Sequence, residues 1–148
     1  MFSQLTPEGV TADGVATVAY LGTGESRSTG KVGAMGFCWG GGTVNNLAVA
    51  SPDLLAAVAY YGAQPPAAGV AKIKARMLLH YGGLDTRINA GIPAYEEALK
   101  AAGVDYEIFV YEGANHAFNN DTSAARYDKA AADLAWSRTI ELFKEALA

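Results

Sequence analysis

The chain has 148 residues, of which 51% are hydrophobic, and this length suits one domain with a buried core. Eleven basic against 15 acidic side chains give a net charge near −4, which argues against a nucleic-acid partner. No apolar run is long enough to suggest a membrane span or a secretion signal. The single cysteine cannot form an internal disulfide and fits a reducing compartment, so we expect a cytoplasmic protein.

The first half of the chain is predicted to alternate between helix and strand. Thr11 to Leu21 fits a helix, because Thr11 can cap it and apolar residues follow at helical spacing. A polar loop leads to the first strand, Val32 to Phe37, after which Thr43 to Ala50 is compatible with a helix. Leu54 to Tyr61 is a continuous apolar run, typical of a strand that is buried on both faces.

The alternation continues in the second half. Arg76 to Tyr81 reads as the third strand and Tyr106 to Tyr111 as the fourth. Between them a helix is predicted from about Ala90 to Ala102, with Asn89 as its cap and Gly103 as its stop.

A long helix, roughly Ser123 to Leu147, is predicted to end the chain. Its apolar face is expected to consist of Tyr127, Ala131, Leu134, Trp136, Ile140, Phe143 and Leu147. Strands that alternate with helices indicate βαβ units, so residues 1–148 are predicted to form a single α/β domain with a parallel sheet.

A nucleophile-elbow motif stands at the end of the first strand, with cysteine where serine is usual. The motif is Gly36-Phe37-Cys38-Trp39-Gly40, and we expect its flanking glycines to permit a tight, strained turn. Such a turn would hold Cys38 at the N-terminus of the next helix, where the thiolate is favoured over the thiol. A lone cysteine is more often a small buried hydrophobe, so the motif needs partners.

Candidate partners follow the third and fourth strands. Asp85 comes after Gly82-Gly83, and His116 lies in the loop after the fourth strand. Since the carboxyl ends of parallel strands share one rim, both can reach Cys38. The chain order of nucleophile, acid and histidine is that of α/β-hydrolases. Asp85 could also be an ordinary turn aspartate, and His80, inside a strand, is expected to be structural.

These residue types suit nucleophilic catalysis. His116 would take the proton of the Cys38 thiol and return it to the leaving group, while Asp85 would fix the tautomer of the imidazole. The backbone N–H of Trp39, the residue after the nucleophile, would donate to the developing oxyanion.

Three segments resemble the dienelactone hydrolase family: GFCWGGG around Cys38, HYGGLD ending at Asp85, and YEGANHAF around His116. The resemblance implies an α/β-hydrolase-like three-layer sandwich and a triad of Cys38, His116 and Asp85. It also implies hydrolysis of a small ester or lactone through an acyl-thioester intermediate, without a cofactor or a metal.

Family members are longer at the N-terminus, so the resemblance implies a shortened sheet of about four strands. The additional family segment would carry the second oxyanion N–H, a glutamate that contacts the thiol, and an arginine that binds the substrate carboxylate. A second family arginine is replaced here by Asn120. The substrate-contact candidates are therefore Arg87, Phe118 and Asn120, with Arg126 as a further cation; each arginine could equally be a solvated surface charge.

The elbow strand is expected to have an open edge, which residues 1–20 or a second copy of the chain, as a homodimer, would cover.

Two other functions stay open at this point. The chain could be a truncated hydrolase-fold subunit with impaired catalysis. It could also be a thiol redox sensor, although it has no second cysteine to resolve an oxidised thiol.

Overall fold

Four parallel strands form one sheet in the computed structural model, which describes residues 5–148. The strands are β1 (Gly33–Phe37), β2 (Ala56–Tyr60), β3 (Arg76–Gly82) and β4 (Tyr106–Tyr111). They lie side by side in the order β1-β2-β3-β4, and each neighbouring pair is parallel. This arrangement confirms the predicted α/β fold and its four strands.

Helices cover both faces of the sheet. They are α1 (Pro7–Leu21), α2 (Trp39–Ala50), α3 (Thr86–Asn89), α4 (Ile92–Ala102) and α5 (Lys129–Leu147). Residues of α1, α2 and α4 pack in one core cluster, and residues of α5 pack in the other. Short 3-10 turns occupy Gly24–Ser26 and Ala67–Lys72.

Strand β2 lies between the two cores. Ala57 and Ala59 point into the core under α2, whereas Ala56, Val58 and Tyr60 point into the core under α5. All five residues are fully buried, as the continuous apolar run predicted.

Helix α1 begins earlier than predicted. Its N-cap is Thr6, whose hydroxyl accepts a hydrogen bond from the Gly9 N–H, and Pro7 occupies the first turn, where its missing N–H is no loss. The prediction that Thr11 caps the helix is wrong, because the Thr11 hydroxyl donates to the Pro7 carbonyl within the helix.

The helix predicted from about Ala90 to Ala102 is present as α4 and begins at Ile92, and a separate short helix, α3, comes before it. Asp85 caps α3, and Asn89 is the last residue of α3 instead of the cap of the next helix. Gly91 is the residue before α4, and Gly103, with φ at 66°, ends it as predicted.

Helix α5 differs from the prediction in its start and in its buried face. Asp128 caps it by accepting from the Ala131 N–H, so Ser123 lies outside the helix. The buried residues are mostly small: Ala131, Ala132, Ala135, Thr139 and Leu142. Leu134 and Trp136 are 47% and 46% exposed, so the expected apolar face is wrong at these two positions, whereas Ala131 is buried and Phe143 packs against the core as expected. Small residues let the helix approach the sheet, and the large ones lie on its flanks.

One flank of α5 lies under β1, at the edge of the sheet. A Cβ atom on Gly33 would come within 2.8 Å of the Phe143 ring and 3.1 Å of Leu147, so these side chains pack beneath the strand. Trp136 and Ile140 share that flank by helical spacing. Among residues 5–148, β1 pairs only with β2, and its other edge is open.

Candidate active site

Cys38 occupies a strained turn between β1 and α2. Its φ and ψ are 53° and −119°, a conformation that non-glycine residues rarely adopt. The Cys38 N–H donates to the Tyr60 carbonyl at 3.0 Å, and the Cys38 carbonyl accepts from the Gly42 N–H at 3.2 Å. These bonds tie the turn to β2 and to α2, so the side chain is held at the rim of the sheet.

Close backbone contacts explain only part of the glycine pattern around Cys38. A Cβ atom on Gly36 would overlap the Gly40 carbonyl, and one on Gly41 would lie 2.7 Å from the Tyr60 carbonyl oxygen. At Gly40, in contrast, a Cβ would meet no atom within 4 Å. The expectation that both flanking glycines provide clearance is therefore correct for Gly36 and wrong for Gly40.

His116 and Asp85 form a hydrogen-bonded pair. The Nδ1 of His116 lies 2.5 Å from Oδ2 of Asp85, and Oδ1 of Asp85 accepts from the Ile88 N–H at 3.2 Å. Because the carboxylate accepts the Nδ1 proton, the tautomer assigned by this bond leaves Nε2 free to take up a proton. The carboxylate itself is buried.

Backbone hydrogen bonds hold the two loops of this pair together. The Gly83 N–H donates to the Tyr111 carbonyl at 2.8 Å, and the Leu84 N–H donates to the Ala114 carbonyl at 3.0 Å. A Cβ on Gly82 would lie 2.5 Å from the Asn115 carbonyl oxygen, so the loops touch along their backbones. This contact fixes the distance between the aspartate and the histidine.

Cys38 lines two adjoining cavities. The first, which we call the imidazole cavity, has a volume of about 240 Å³ and is also lined by Trp39, Tyr61, Ala63, Arg87, Ile88 and His116. The second, the amide cavity, has a volume of about 270 Å³ and is also lined by Phe37, Tyr61, Ala117, Asn119 and Asn120. Cys38 and Tyr61 are common to both.

Tyr61 is a site residue that the sequence reading missed. It is 2% exposed with φ at 40°, and its ring centroid lies 5.0 Å from that of His116. Burial raises the pKa of its hydroxyl well above the ordinary value, and the nearby Cys38 thiolate adds to the rise. One sequence feature could have indicated this role. Tyr61 stands directly before a glycine at the carboxyl end of a buried strand, and that end belongs to the same rim of the sheet as Cys38.

The structure brings most of the predicted site residues together around Cys38. Cys38, Trp39, Arg87 and His116 line the imidazole cavity, with Asp85 bonded behind the imidazole. The hydrogen bonds of residues 5–148 include none between the Cys38 thiol and His116. Asn120 lines the amide cavity, where its Oδ1 also accepts from the Thr122 N–H.

Phe118 was expected to contact substrate, and the structure does not allow it. Its side chain is fully buried, with ring centroids 5.3 Å from Tyr61 and 5.0 Å from Tyr111. A ring enclosed in this way supports the loop that carries His116 instead.

Burial raises the pKa of the Cys38 thiol, and the Asp85 carboxylate raises it further. The positive charge of Arg126 acts in the opposite direction. The net rise is opposite to the effect expected from the helix N-terminus alone, because loss of hydration disfavours the thiolate. The resting thiol therefore keeps its proton at neutral pH.

His80 has the structural position that was expected. It is fully buried in β3, where Nδ1 lies 3.0 Å from the Tyr111 hydroxyl and Nε2 lies 3.3 Å from the Thr139 hydroxyl. Burial, with a smaller effect of Arg138, lowers the pKa of His80 to about 3. A neutral imidazole in this network links α5 to the sheet.

Comparison with known proteins identifies relatives along almost the whole chain. The model of the dienelactone hydrolase family matches residues 1–147. A protein of Saccharolobus solfataricus named as a carboxymethylenebutenolidase is 38% identical over 136 residues, which cover 91% of this chain and 51% of that protein. An Escherichia coli K12 protein of the same name is 34% identical over 145 residues, covering 88% of this chain and 53% of that protein. The chain thus spans about half the length of these relatives.

Solved structures agree with this assignment. A protein of Klebsiella pneumoniae described as a dienelactone hydrolase superposes with a TM-score of 0.86 at 29% identity, covering 97% of this chain and 64% of that one. A dienelactone hydrolase-like promiscuous phosphotriesterase from metagenomic libraries gives 0.83 at 26% identity, covering 94% and 62%. On the match of 147 residues, the chain belongs to the dienelactone hydrolase family.

Proposed function

We propose that the chain hydrolyses small carboxylic esters or lactones with Cys38 as nucleophile. One observation carries the proposal: a strained turn presents Cys38 to the same cavity as His116, whose Nδ1 is bonded to Asp85. The names of the relatives support the substrate class, since carboxymethylenebutenolidases are lactone hydrolases.

In the acylation step, Nε2 of His116 takes the thiol proton while the sulfur attacks the carbonyl carbon of the substrate. The carbonyl oxygen receives the displaced electron pair. When the carbonyl re-forms, the bond to the alkoxide breaks and His116 protonates the leaving oxygen, which leaves an acyl thioester on Cys38. A resting thiol that keeps its proton suits this scheme, because His116 then removes the proton only as the bond forms.

In the deacylation step, His116 takes a proton from water, and the resulting hydroxide attacks the thioester carbon. The carbon–sulfur bond breaks, the thiol regains a proton, and the carboxylic acid leaves. Trp39 is the first residue of α2, so its N–H has no acceptor within the helix and can donate to the oxyanion of both steps. Asp85 stabilises the imidazolium that forms each time.

A redox-sensor function is less consistent with the site. Oxidation-sensitive cysteines have a lowered pKa, and burial raises the pKa of Cys38. The impaired-subunit hypothesis is best decided by turnover.

Turnover of p-nitrophenyl acetate by wild type and Cys38→Ala tests the proposal. We expect the substitution to lower kcat by at least about 10³-fold, because nucleophile removal leaves only binding and oxyanion effects. Lys74→Gln, at an exposed site away from both cavities, is the matched control and should turn over like wild type. Equal rates for wild type and Cys38→Ala would favour the impaired subunit.

We also infer that a second copy of the chain covers the open edge of β1, because the unpaired backbone groups of an edge strand favour pairing with another chain. The cytoplasmic location inferred from the single cysteine stays a prediction. Among residues 5–148, no helix combines the length and the apolar character needed to cross a membrane.

A further inference from the structure

Tyr61 stands between two cavities that both reach Cys38. We propose that it divides the site into a leaving-group subsite, the imidazole cavity, and an acyl subsite, the amide cavity, which select the two halves of the substrate independently. This inference rests on the proposed function, because it assigns subsites to that same reaction.

The position of His116 decides which cavity takes the leaving group. The group that protonates the departing oxygen must be within hydrogen-bond reach of it. His116 lines the imidazole cavity and does not line the amide cavity. The departing oxygen and its substituent therefore lie in the imidazole cavity, and the acyl group on the sulfur lies on the other side of Tyr61.

The two cavities differ in charge. Arg87 brings a permanent positive charge to the imidazole cavity, whose remaining wall includes Trp39 and Ile88. The amide cavity has no charged side chain in its lining, and its wall consists of two asparagines, an alanine and the aromatic rings of Phe37 and Tyr61. The leaving-group subsite thus suits an anionic group, and the acyl subsite suits a neutral one.

The dividing wall is rigid. Tyr61 is almost fully buried, and its ring centroid lies 6.2 Å from that of Phe37 and 5.3 Å from that of Phe118. Its φ is 40°, and its backbone N–H donates to the His80 carbonyl at 2.7 Å, which ties this residue to β3. Each cavity is small, at about 240 and 270 Å³, which favours short groups in both halves of the substrate.

The test uses four aryl esters: acetate and hexanoate esters of p-nitrophenol, and the same two acyl groups on 5-hydroxy-2-nitrobenzoate, whose leaving group carries a carboxylate. For each variant, kcat/KM gives a charge ratio, anionic over neutral leaving group, and a length ratio, hexanoate over acetate. Arg87→Gln should lower the charge ratio by roughly 10-fold, because it removes the ion pair between Arg87 and the anionic leaving group. It should leave the length ratio unchanged.

Asn119→Ala enlarges the amide cavity and should raise the length ratio several-fold without moving the charge ratio. Phe37→Ala gives the same test should Asn119→Ala misfold. Tyr61→Ala joins the cavities and should change both ratios. Tyr61→Phe keeps the aromatic ring that divides them and should leave both ratios as in wild type. Lys74→Gln removes a positive charge outside the site and should leave both ratios as in wild type.

Two outcomes would overturn the subsite assignment: Arg87→Gln changing the length ratio as much as the charge ratio, or the amide-cavity variants changing the charge ratio. Cys38→Ala separates these failures from failure of the proposed function. If wild type and Cys38→Ala hydrolyse all four esters equally, the hydrolase proposal fails. If turnover needs Cys38 but the two ratios do not separate, the subsite assignment alone fails.

Discussion

The two oxygens of the Asp85 carboxylate have different tasks. Oδ1 caps α3 through the Ile88 N–H, and Oδ2 accepts from Nδ1 of His116. Asp85→Asn keeps a capping oxygen but replaces the charged acceptor of the imidazole. We therefore expect kcat to fall by roughly 10²–10⁴-fold with the melting temperature nearly unchanged.

Asp85→Ala is the control for this prediction, because it removes both bonds. It should lose activity and also about 1 kcal/mol of stability with the cap. Steady-state kinetics and thermal melts of the three proteins measure both effects. Full activity in Asp85→Asn would show that the carboxylate does not act through His116.

His80 makes the fold sensitive to acid. Burial lowers its pKa from 6.5 to about 3, so between these values the unfolded chain binds a proton at His80 that the folded chain does not. Stability should therefore fall as the pH drops from about 6.5 towards 3, with a slope of at most about 1.4 kcal/mol per pH unit from this residue.

Urea unfolding at a series of pH values measures this slope. His80→Gln does not titrate, and its stability should depend less on pH in that window, although the variant is less stable throughout. Identical slopes for both proteins would show that His80 is not held neutral in the fold.

At the scale of single residues, the motif order identified Cys38, Asp85 and His116, since each follows a predicted strand and their order is distinctive. Tyr61 could not be recognised in the same way, because its role depends on a positive φ and on rings from segments far away in the sequence, such as that of His116. Phe118 was misread because nothing local shows whether a loop aromatic points inward or outward.

At the junction of β1 and α2, the two motif glycines should respond differently to substitution. A Cβ on Gly36 would overlap the Gly40 carbonyl, so Gly36→Ala should cost about 1–3 kcal/mol or more and distort the turn at Cys38. Gly40→Ala meets open space in the first turn of a helix, so it should be neutral or stabilising by up to about 1 kcal/mol.

Chemical denaturation of the two single variants compares these costs directly, and each serves as the control of the other. An equal and large loss of stability in both would mean that the elbow needs clearance at Gly40 as well.

At the scale of elements, strand positions were predicted well and helix faces less well. The four strands are apolar and end in glycine or a loop, signals that lie within the segment itself. The buried face of α5 depends instead on the distance between helix and sheet. Ala131, Ala135 and Thr139 allow a close approach, which leaves Leu134 and Trp136 on the flanks.

For the molecule as a whole, the open edge of β1 and the neighbouring flank of α5 should control self-association. Trp136 lies on the flank that reaches β1, and Leu134 lies on the opposite flank at almost equal exposure, 46% against 47%. Trp136→Gln should therefore weaken association, whereas Leu134→Gln should not.

Light scattering over a range of protein concentrations measures this difference. A monodisperse wild-type monomer would contradict the proposed homodimer. An equal response of the two variants would place the interface away from this flank.

The fold class followed from the alternation of strands and helices, and the family assignment followed from three short motifs. The open edge of β1 was also expected, because the elbow strand found no partner on its other side in this sequence. The proposed partner of that edge, a second copy of the chain, could not be recognised in the same way, because an interface between two molecules leaves no periodic pattern in one sequence.

The most direct test of the account is intact-protein mass spectrometry of the chain quenched in acid during turnover of p-nitrophenyl acetate. The account predicts one added acetyl group per chain, mapped to Cys38 by peptide analysis and absent from Cys38→Ala. Steady turnover that Cys38→Ala matches, with no acetyl group on Cys38 at any time point, would contradict the central claim that this thiol is the nucleophile.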